Sequence, residues 1–198
     1  MKRETAVIVL HEIYGINSHI RNVYQTLSEQ QMDVICPNLL GRNQSFQYEQ
    51  EKEAYGYFMK HVSFIRAAQQ VKRLIAQLKK KYKAVFVIGF SVGATIAWLC
   101  SEEKEATGII GYYGSRIREY ANLSPSCPVL LFFPKREPSF NVDYVISMLN
   151  NRAVRIVKWN ADHGFGDPFS SRYNAEAAEG AFREAIEFIK KQTDLATR

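Results

Sequence analysis

Residues 84–99 read AVFVIGFSVGATIAWL, and this stretch decides the fold class. A short β-branched run leads directly into Gly89-Phe90-Ser91-Val92-Gly93, and the residues after it favour a helix. The pattern predicts a strand, a tight glycine turn and a helix, with Ser91 at the turn, as a nucleophilic serine requires. Because Gly-x-Ser-x-Gly also occurs by chance, a helix N-cap serine is the alternative.

The rest of the chain repeats this alternation of short apolar runs and longer amphipathic ones, which predicts an α/β fold with a parallel sheet between helices. Gly56 interrupts the second helical stretch, so we expect two helices or a kink there. No repeat or Pro/Gly-rich linker divides the 198 residues, so we expect a single domain over 1–198. The predicted strands are 6–10, 34–37, 84–89, 108–113, 128–133 and 153–159, and the predicted helices are 18–30, 49–81, 92–103, 142–149 and 175–192.

Composition restricts the class of protein further. A hydrophobic content of 46% suffices for a substantial core, and no apolar run is long enough for an export signal or a membrane span. We therefore expect a cytoplasmic protein, a monomer or homodimer, with no membrane contact. The net charge of +6 is spread along the chain except at residues 79–83, where cations suit a helix C-terminus, so we expect no nucleic-acid partner. Three cysteines without paired spacing indicate reduced thiols.

A serine nucleophile needs a base and a group that orients the base. In this fold the base follows the serine and the acid along the chain, and His163 is the one histidine C-terminal to Ser91. The acid is expected just after the strand 128–133, where the loop offers Glu137, our first choice. Asp143, in the next helix, is the alternative. Asp162 adjoins the base in sequence and would normally point away from it.

Acyl transfer also needs two donors for the oxyanion. The backbone N–H of Val92 is one candidate, and the loop after the first strand points to the N–H of Ile13. In the same loop His11 precedes Glu12, but the second histidine of a zinc-protease helix is missing. We expect neither a metal nor a cofactor.

With these residues in view, the chain resembles the dienelactone hydrolase family of α/β-hydrolases. Four segments carry the resemblance along nearly the whole chain: residues 11–17 (HEIYGIN), 36–39 (CPNL), 111–114 (GYYG) and 163–165 (HGF). The resemblance implies that Glu12 lies beside the nucleophile, that Ile13 donates to the oxyanion hole and that Glu137 takes the place of the triad aspartate. It also implies a short version of the fold, without the N-terminal antiparallel strands and without a large lid.

The chain departs from the family's name-giving members at the substrate site. Those members use a cysteine nucleophile, and they bind a substrate carboxylate with two arginines. Here the corresponding residues are Ser91, Glu51 and Asp167. Two anions in place of two cations would repel an anionic lactone, so the resemblance favours another substrate. Tyr55, Tyr112 and Tyr113 are candidates for the pocket lining, although aromatic residues near strand ends are more often core.

The sequence therefore predicts a serine hydrolase that acts on a small carboxylic ester or lactone through an acyl-enzyme on Ser91. A thioesterase with the same mechanism is one alternative. A non-catalytic ligand-binding member of the fold is the other, although the presence of both Ser91 and His163 argues against it.

Overall fold

The computed structural model of the chain describes residues 3–149 and 152–196, and its centre is a parallel sheet. Six strands lie in the order β2-β1-β3-β4-β5-β6, and every neighbouring pair is parallel. The strands are β1 (Thr5–Leu10), β2 (Asp33–Ile35), β3 (Ala84–Phe90), β4 (Gly108–Tyr112), β5 (Val129–Pro134) and β6 (Val154–Trp159). The prediction of six parallel strands is confirmed. Strands β2, β4 and β6 are each one residue shorter than predicted, and β2 ends before Pro37, which has no N–H with which to continue the ladder.

Helices cover both faces of the sheet and make the three-layer arrangement that the sequence predicted. They are α1 (Ser18–Glu29), α2 (Glu51–His61), α3 (Phe64–Lys79), α4 (Val92–Leu99), α5 (Val142–Met148) and α6 (Ala175–Ala196). Residues of α1 and α6 pack in one buried cluster, and residues of α2 to α5 pack in the other. Alternate residues of the central strands point into the two clusters, so β1 sends Val7 one way and Ile8 the other.

The break between α2 and α3 is not where the sequence suggested. Gly56 lies within α2, and a Cβ built there would have nothing within 4 Å, so the open surface tolerates it. The chain instead leaves the helix at Val62, and the Ser63 side chain caps α3 by accepting a hydrogen bond from the N–H of Arg66. The expectation of two helices is confirmed, but the break comes six residues later. Likewise α4 ends at Leu99 rather than near 103.

The C-terminal ends of the strands remain accessible in this arrangement. In residues 3–149 and 152–196, no antiparallel strand extends the sheet and no inserted segment covers it as a lid. Within the same residues, no helix combines the length and the apolar character needed to cross a bilayer.

Candidate active site

A cavity of about 1110 Å³ opens at the C-terminal edge of the sheet, where ligands bind in open α/β folds. Loops that follow β1, β3, β5 and β6 supply its walls. All of the predicted site residues line it: Glu12, Ile13, Ser91, Val92, Glu137 and His163. The sequence therefore identified a set of residues that the fold brings together.

Ser91 occupies a strained turn between β3 and α4. Its backbone has φ of 53° and ψ of −113°, a conformation that side-chain-bearing residues rarely adopt. Both flanking glycines are needed for close packing around this turn. A Cβ on Gly89 would lie 2.1 Å from the carbonyl oxygen of Gly93, and a Cβ on Gly93 would lie 2.4 Å from that of Leu10. The turn consequently lies against the end of β1 and presents the Ser91 hydroxyl to the cavity.

His163 links Ser91 to Glu137. Its Nε2 lies 2.9 Å from the Ser91 Oγ, and its Nδ1 lies 2.5 Å from a Glu137 carboxylate oxygen. Because a carboxylate can only accept, Nδ1 carries the proton and Nε2 accepts from the serine hydroxyl. The Glu137 side chain is 4% exposed, so its negative charge interacts with the imidazole with little screening by water. This geometry is the one required for a histidine to act as a base on a serine.

The competing carboxylates do not contact the imidazole. Asp143 lies in the first turn of α5, where its side chain is 74% exposed and pairs with Lys158 at 2.5 Å. Asp162 precedes the base, and its backbone carbonyl accepts from the N–H of Phe165 in the turn that follows. Of the three candidates, the structure brings Glu137 to the ring.

The loop after β5 holds Glu137 in place through its own backbone. The N–H of Lys135 donates to the carbonyl of Ala161 at 3.1 Å, which ties this loop to the one that carries the base. Two residues later, Glu137 and Phe140 form an isolated antiparallel bridge around Pro138 and Ser139. A short, internally paired loop restricts where the carboxylate can point.

Two backbone N–H groups are free to bind an oxyanion at this edge. Val92 is the first residue of α4, and its N–H has no acceptor within the described residues. The N–H of Ile13, in the turn after β1, also has none there. Because Gly93 packs on the carbonyl of Leu10, the two turns that carry these groups are in contact.

Glu12 is a buried carboxyl next to the catalytic candidates. It is 6% exposed, and its side chain makes no hydrogen bond to any described residue. The pKa of Glu12 is raised to about 7, chiefly by burial and then by the charge of Asp167, while His163 acts in the opposite direction. Glu12 therefore changes protonation state near neutral pH at the edge of the site.

Asp167 is buried under the cavity and held by two donors. The Tyr48 hydroxyl donates to it at 2.6 Å and the N–H of Phe169 at 2.9 Å, while the ring of His19 lies 3.8 Å away. Burial lowers the pKa of His19 to about 4, so this ring is neutral at physiological pH. Asp167 thus fixes the loop that follows the base, a role that no sequence motif marks.

His11 has a structural role. Its Nδ1 donates to the carbonyl of Glu12 at 2.7 Å, and its Nε2 accepts from the N–H of Leu39 at 3.0 Å. Burial lowers the pKa of His11 to about 4, which keeps the ring neutral and suited to both bonds. The ring therefore joins the loops after β1 and β2. In the described part of the chain, no three His, Cys, Asp or Glu residues are grouped as a metal site.

The charges around the cavity are mixed. Glu51, one of the two anions that stand where the family's name-giving members have arginines, forms an ion pair with Arg172 at 3.2 Å. Further cations line the other walls, namely Arg116, Arg118, Lys135 and Arg136. Carboxylates line the cavity as well, namely Glu12, Glu137, Asp143, Asp162 and Asp167, so both signs of charge are present and the expectation that the site repels anions stays a prediction.

The three tyrosines divide between core and cavity. Tyr112 and Tyr113 are 4% and 0% exposed and belong to the core, where Tyr113 packs against the ring of His163. Tyr55 lines the cavity, and its hydroxyl accepts a hydrogen bond from Arg116, which also pairs with Glu119. No sequence motif marks this contact, because it joins α2 to a turn 61 residues away.

Comparison with known proteins identifies the family of the chain. A model of the dienelactone hydrolase family matches residues 1–193. The chain belongs to the dienelactone hydrolase family. The predicted resemblance is thereby confirmed, as is the predicted enzyme class, a carboxylic ester hydrolase.

Individual proteins are similar to this chain over most of its length. YczH of Bacillus subtilis, an uncharacterized protein, is 43% identical over 195 residues, which cover 97% of this chain and 94% of YczH. A carboxymethylenebutenolidase of Pseudomonas putida is 22% identical, with 92% and 84% covered. The crystal structure of a putative dienelactone hydrolase from Klebsiella pneumoniae is similar to this one with a TM-score of 0.80 at 18% identity, over 93% of this chain and 86% of the Klebsiella chain. That likeness confirms the predicted α/β-hydrolase fold.

Proposed function

We propose that this member of the family is a serine hydrolase that cleaves a small carboxylic ester or lactone through an acyl-enzyme on Ser91. The observation that carries the proposal is the unbroken chain of hydrogen bonds from the Ser91 hydroxyl through His163 to the buried Glu137. The strained turn at Ser91 and the two free N–H groups of Ile13 and Val92 support it.

In the first half of the reaction, the Ser91 Oγ attacks the acyl carbon and its proton moves to Nε2 of His163. The carbonyl oxygen becomes an oxyanion, which the N–H groups of Ile13 and Val92 stabilise. Glu137 stabilises the imidazolium that forms, without taking its proton. The tetrahedral intermediate then expels the alcohol oxygen, which takes the proton from Nε2. The acyl group remains on Ser91.

In the second half, water takes the place of the alcohol. His163 Nε2 removes a proton from this water as it attacks the acyl carbon, and the same two N–H groups bind the new oxyanion. Collapse of the intermediate returns the proton from Nε2 to the Ser91 Oγ and releases the acid. A lactone follows the same steps, with its alcohol still tethered to the acyl group.

An active-site probe tests the nucleophile directly. A fluorophosphonate should label the wild type and not Ser91→Ala, whereas Ser147→Ala, a matched change of an exposed serine in α5, should be labelled like the wild type. Equal labelling of the wild type and Ser91→Ala would remove Ser91 from this role.

Turnover of short p-nitrophenyl esters tests the reaction. Ser91→Ala and His163→Ala should each lower kcat by about 10⁴-fold or more, and the double variant should be no worse, because the two act as a unit. Matched oxygen esters and thioesters then separate an esterase from a thioesterase, since both reactions use the same acyl-enzyme. A folded wild type that binds esters without turnover would instead favour the non-catalytic alternative.

A further inference from the structure

Two arginines and two aromatic residues together line one wall of the cavity. Arg116 and Arg118 lie in the 3₁₀ helix Ser115–Tyr120, which follows β4, and their side chains are 28% and 25% exposed. Tyr55 of α2 and Phe140, between β5 and α5, line the cavity with them. Each of the four side chains ends in a planar group, so we call these residues the planar wall.

The guanidinium group of Arg116 is held by hydrogen bonds in its own plane. One terminal nitrogen donates to the Tyr55 hydroxyl, and the other donates to the carboxylate of Glu119. Because the N–H groups of a guanidinium all lie in its plane, these bonds leave its flat faces for stacking. An arginine fixed in this way also loses little side-chain freedom when a ligand stacks on it.

The guanidinium group of Arg118 is already stacked on an aromatic ring. Its central carbon lies 5.0 Å from the centroid of the Phe140 ring, and one terminal nitrogen donates to the backbone carbonyl of Ser115. The other terminal nitrogen is 3.9 Å from the carboxylate of Glu119. Phe140 is itself held by its backbone bridge to Glu137. The planar wall is therefore fixed by contacts among its own residues and with the loop of the acid.

The topology of the sheet relates this wall to one half of the substrate. β4 adjoins β3 on the side opposite to β1, so the 3₁₀ helix after β4 lies across Ser91 from the loop of Ile13. In the proposed reaction the oxyanion points to the N–H groups of Ile13 and Val92, and the alcohol oxygen points to His163. The acyl chain is the remaining substituent of the acyl carbon. It therefore extends away from β1, towards the planar wall.

We infer that the acyl part of the substrate carries an uncharged aromatic ring, which stacks on the planar wall, chiefly on Arg116 and Arg118. A guanidinium group attracts an aromatic face by stacking and by cation–π interaction, and a saturated ring of similar size gains neither. An apolar pocket without these planes would instead favour the saturated ring, which has more apolar surface to bury. The inference rests on the proposed function, because it identifies the acyl half by its position relative to Ser91.

Two esters that differ only in the ring test this selectivity, namely p-nitrophenyl phenylacetate and p-nitrophenyl cyclohexylacetate. Both have the same leaving group, and a methylene separates the ring from the carbonyl, so their intrinsic reactivities are similar. After division by the rate of hydrolysis by hydroxide, we expect kcat/KM to be about fivefold to tenfold higher for the phenylacetate. An equal or higher value for the cyclohexylacetate would overturn the inference.

Double variants assign the preference to the planar wall. Arg116→Lys/Arg118→Lys keeps both charges but removes both planes, and Arg116→Leu/Arg118→Leu removes charge and plane together. Each should lower the preference for the phenylacetate to about twofold or less. Arg73→Lys/Arg183→Lys, which changes two exposed arginines on α3 and α6, should keep the preference of the wild type. A preference that survives in either variant of the wall would contradict stacking on the guanidinium planes.

A binding measurement separates this inference from the proposed reaction. In an NMR titration, the neutral amide phenylacetamide should bind the wild type about fivefold more tightly than cyclohexylacetamide, and Arg116→Lys/Arg118→Lys should bind the two amides about equally. If the wild type binds both equally or binds neither, the inference is wrong even when fluorophosphonate labels Ser91. If phenylacetamide is preferred but Ser91 is not labelled, the proposed reaction fails while the aromatic site stands.

Discussion

A carboxylate oxygen of Glu137 lies 2.5 Å from Nδ1 of His163, although Glu137 is in a loop and Asp143 occupies the next helix. This contact fixes the tautomer in which Nε2 can accept the proton of Ser91. Because the Glu137 carboxylate is 4% exposed, solvent screens it little. Its negative charge therefore stabilises the imidazolium of His163 more than an exposed carboxylate would.

The first prediction concerns this carboxylate. Glu137→Gln keeps the shape of the side chain but offers an amide that can stabilise the wrong tautomer, so kcat for a p-nitrophenyl ester should fall by about 10³ to 10⁴-fold. Asp143→Asn is the matched change at the competing position, and it should alter kcat by less than about twofold, because Asp143 pairs with Lys158. A larger loss from Asp143→Asn than from Glu137→Gln would reverse the assignment of the acid.

The second prediction concerns strain at Ser91. Ser91→Gly and Ser91→Ala both remove the hydroxyl, but only glycine adopts φ of 53° with ψ of −113° without steric cost. We expect Ser91→Gly to be more stable than Ser91→Ala by about 1 to 3 kcal/mol, measured as the free energy of unfolding in urea. Equal stability of the two variants would show that the turn is not strained.

The third prediction contrasts two helical glycines. In Gly93→Ala the new Cβ would lie 2.4 Å from the carbonyl oxygen of Leu10, so the turn must move and stability should fall by about 3 kcal/mol or more. Gly56→Ala adds a Cβ in open space and should stabilise α2 by about 0.5 to 1 kcal/mol. Thermal denaturation of both variants shows whether each is less or more stable than the wild type. A neutral Gly93→Ala would contradict the close packing of the turn on β1.

The residues that the sequence identified well are those whose placement follows from local pattern and topology. The β3–Ser91–α4 unit is contiguous in the chain, and His163 follows from the order of elements, since strand ends of a parallel sheet meet at one edge. Ile13 was found in the same way, because β1 is adjacent to β3.

Features that depend on tertiary packing were less accessible to sequence. The break at Val62 reflects the Ser63 cap, which outweighs the low helix propensity of Gly56 on an open surface. The choice of Glu137 over Asp143 depends on which carboxylate points towards His163. The ion pair with Lys158 on β6 holds the Asp143 carboxylate at the surface. The Glu51–Arg172 ion pair was also inaccessible to sequence, because it joins residues 121 positions apart.

The last prediction concerns the ionisation of Glu12. Its pKa is raised by burial from the ordinary value of 4.5 to about 7, so between these values the folded chain keeps a proton that the unfolded chain has lost. The free energy of unfolding should therefore fall as pH rises through this window, by on the order of 3 kcal/mol from this group.

Glu12→Gln isolates that contribution, because glutamine does not titrate while the other ionisable groups remain the same in both proteins. The variant should gain stability relative to the wild type as the pH rises from 5 to 8, and the difference in Tm between them should grow over the same range. Asp167→Asn removes the neighbouring charge that raises the pKa of Glu12, so the window should move to lower pH in that background. A difference in Tm that is independent of pH would mean that Glu12 titrates as an exposed carboxyl does, which its 6% exposure argues against.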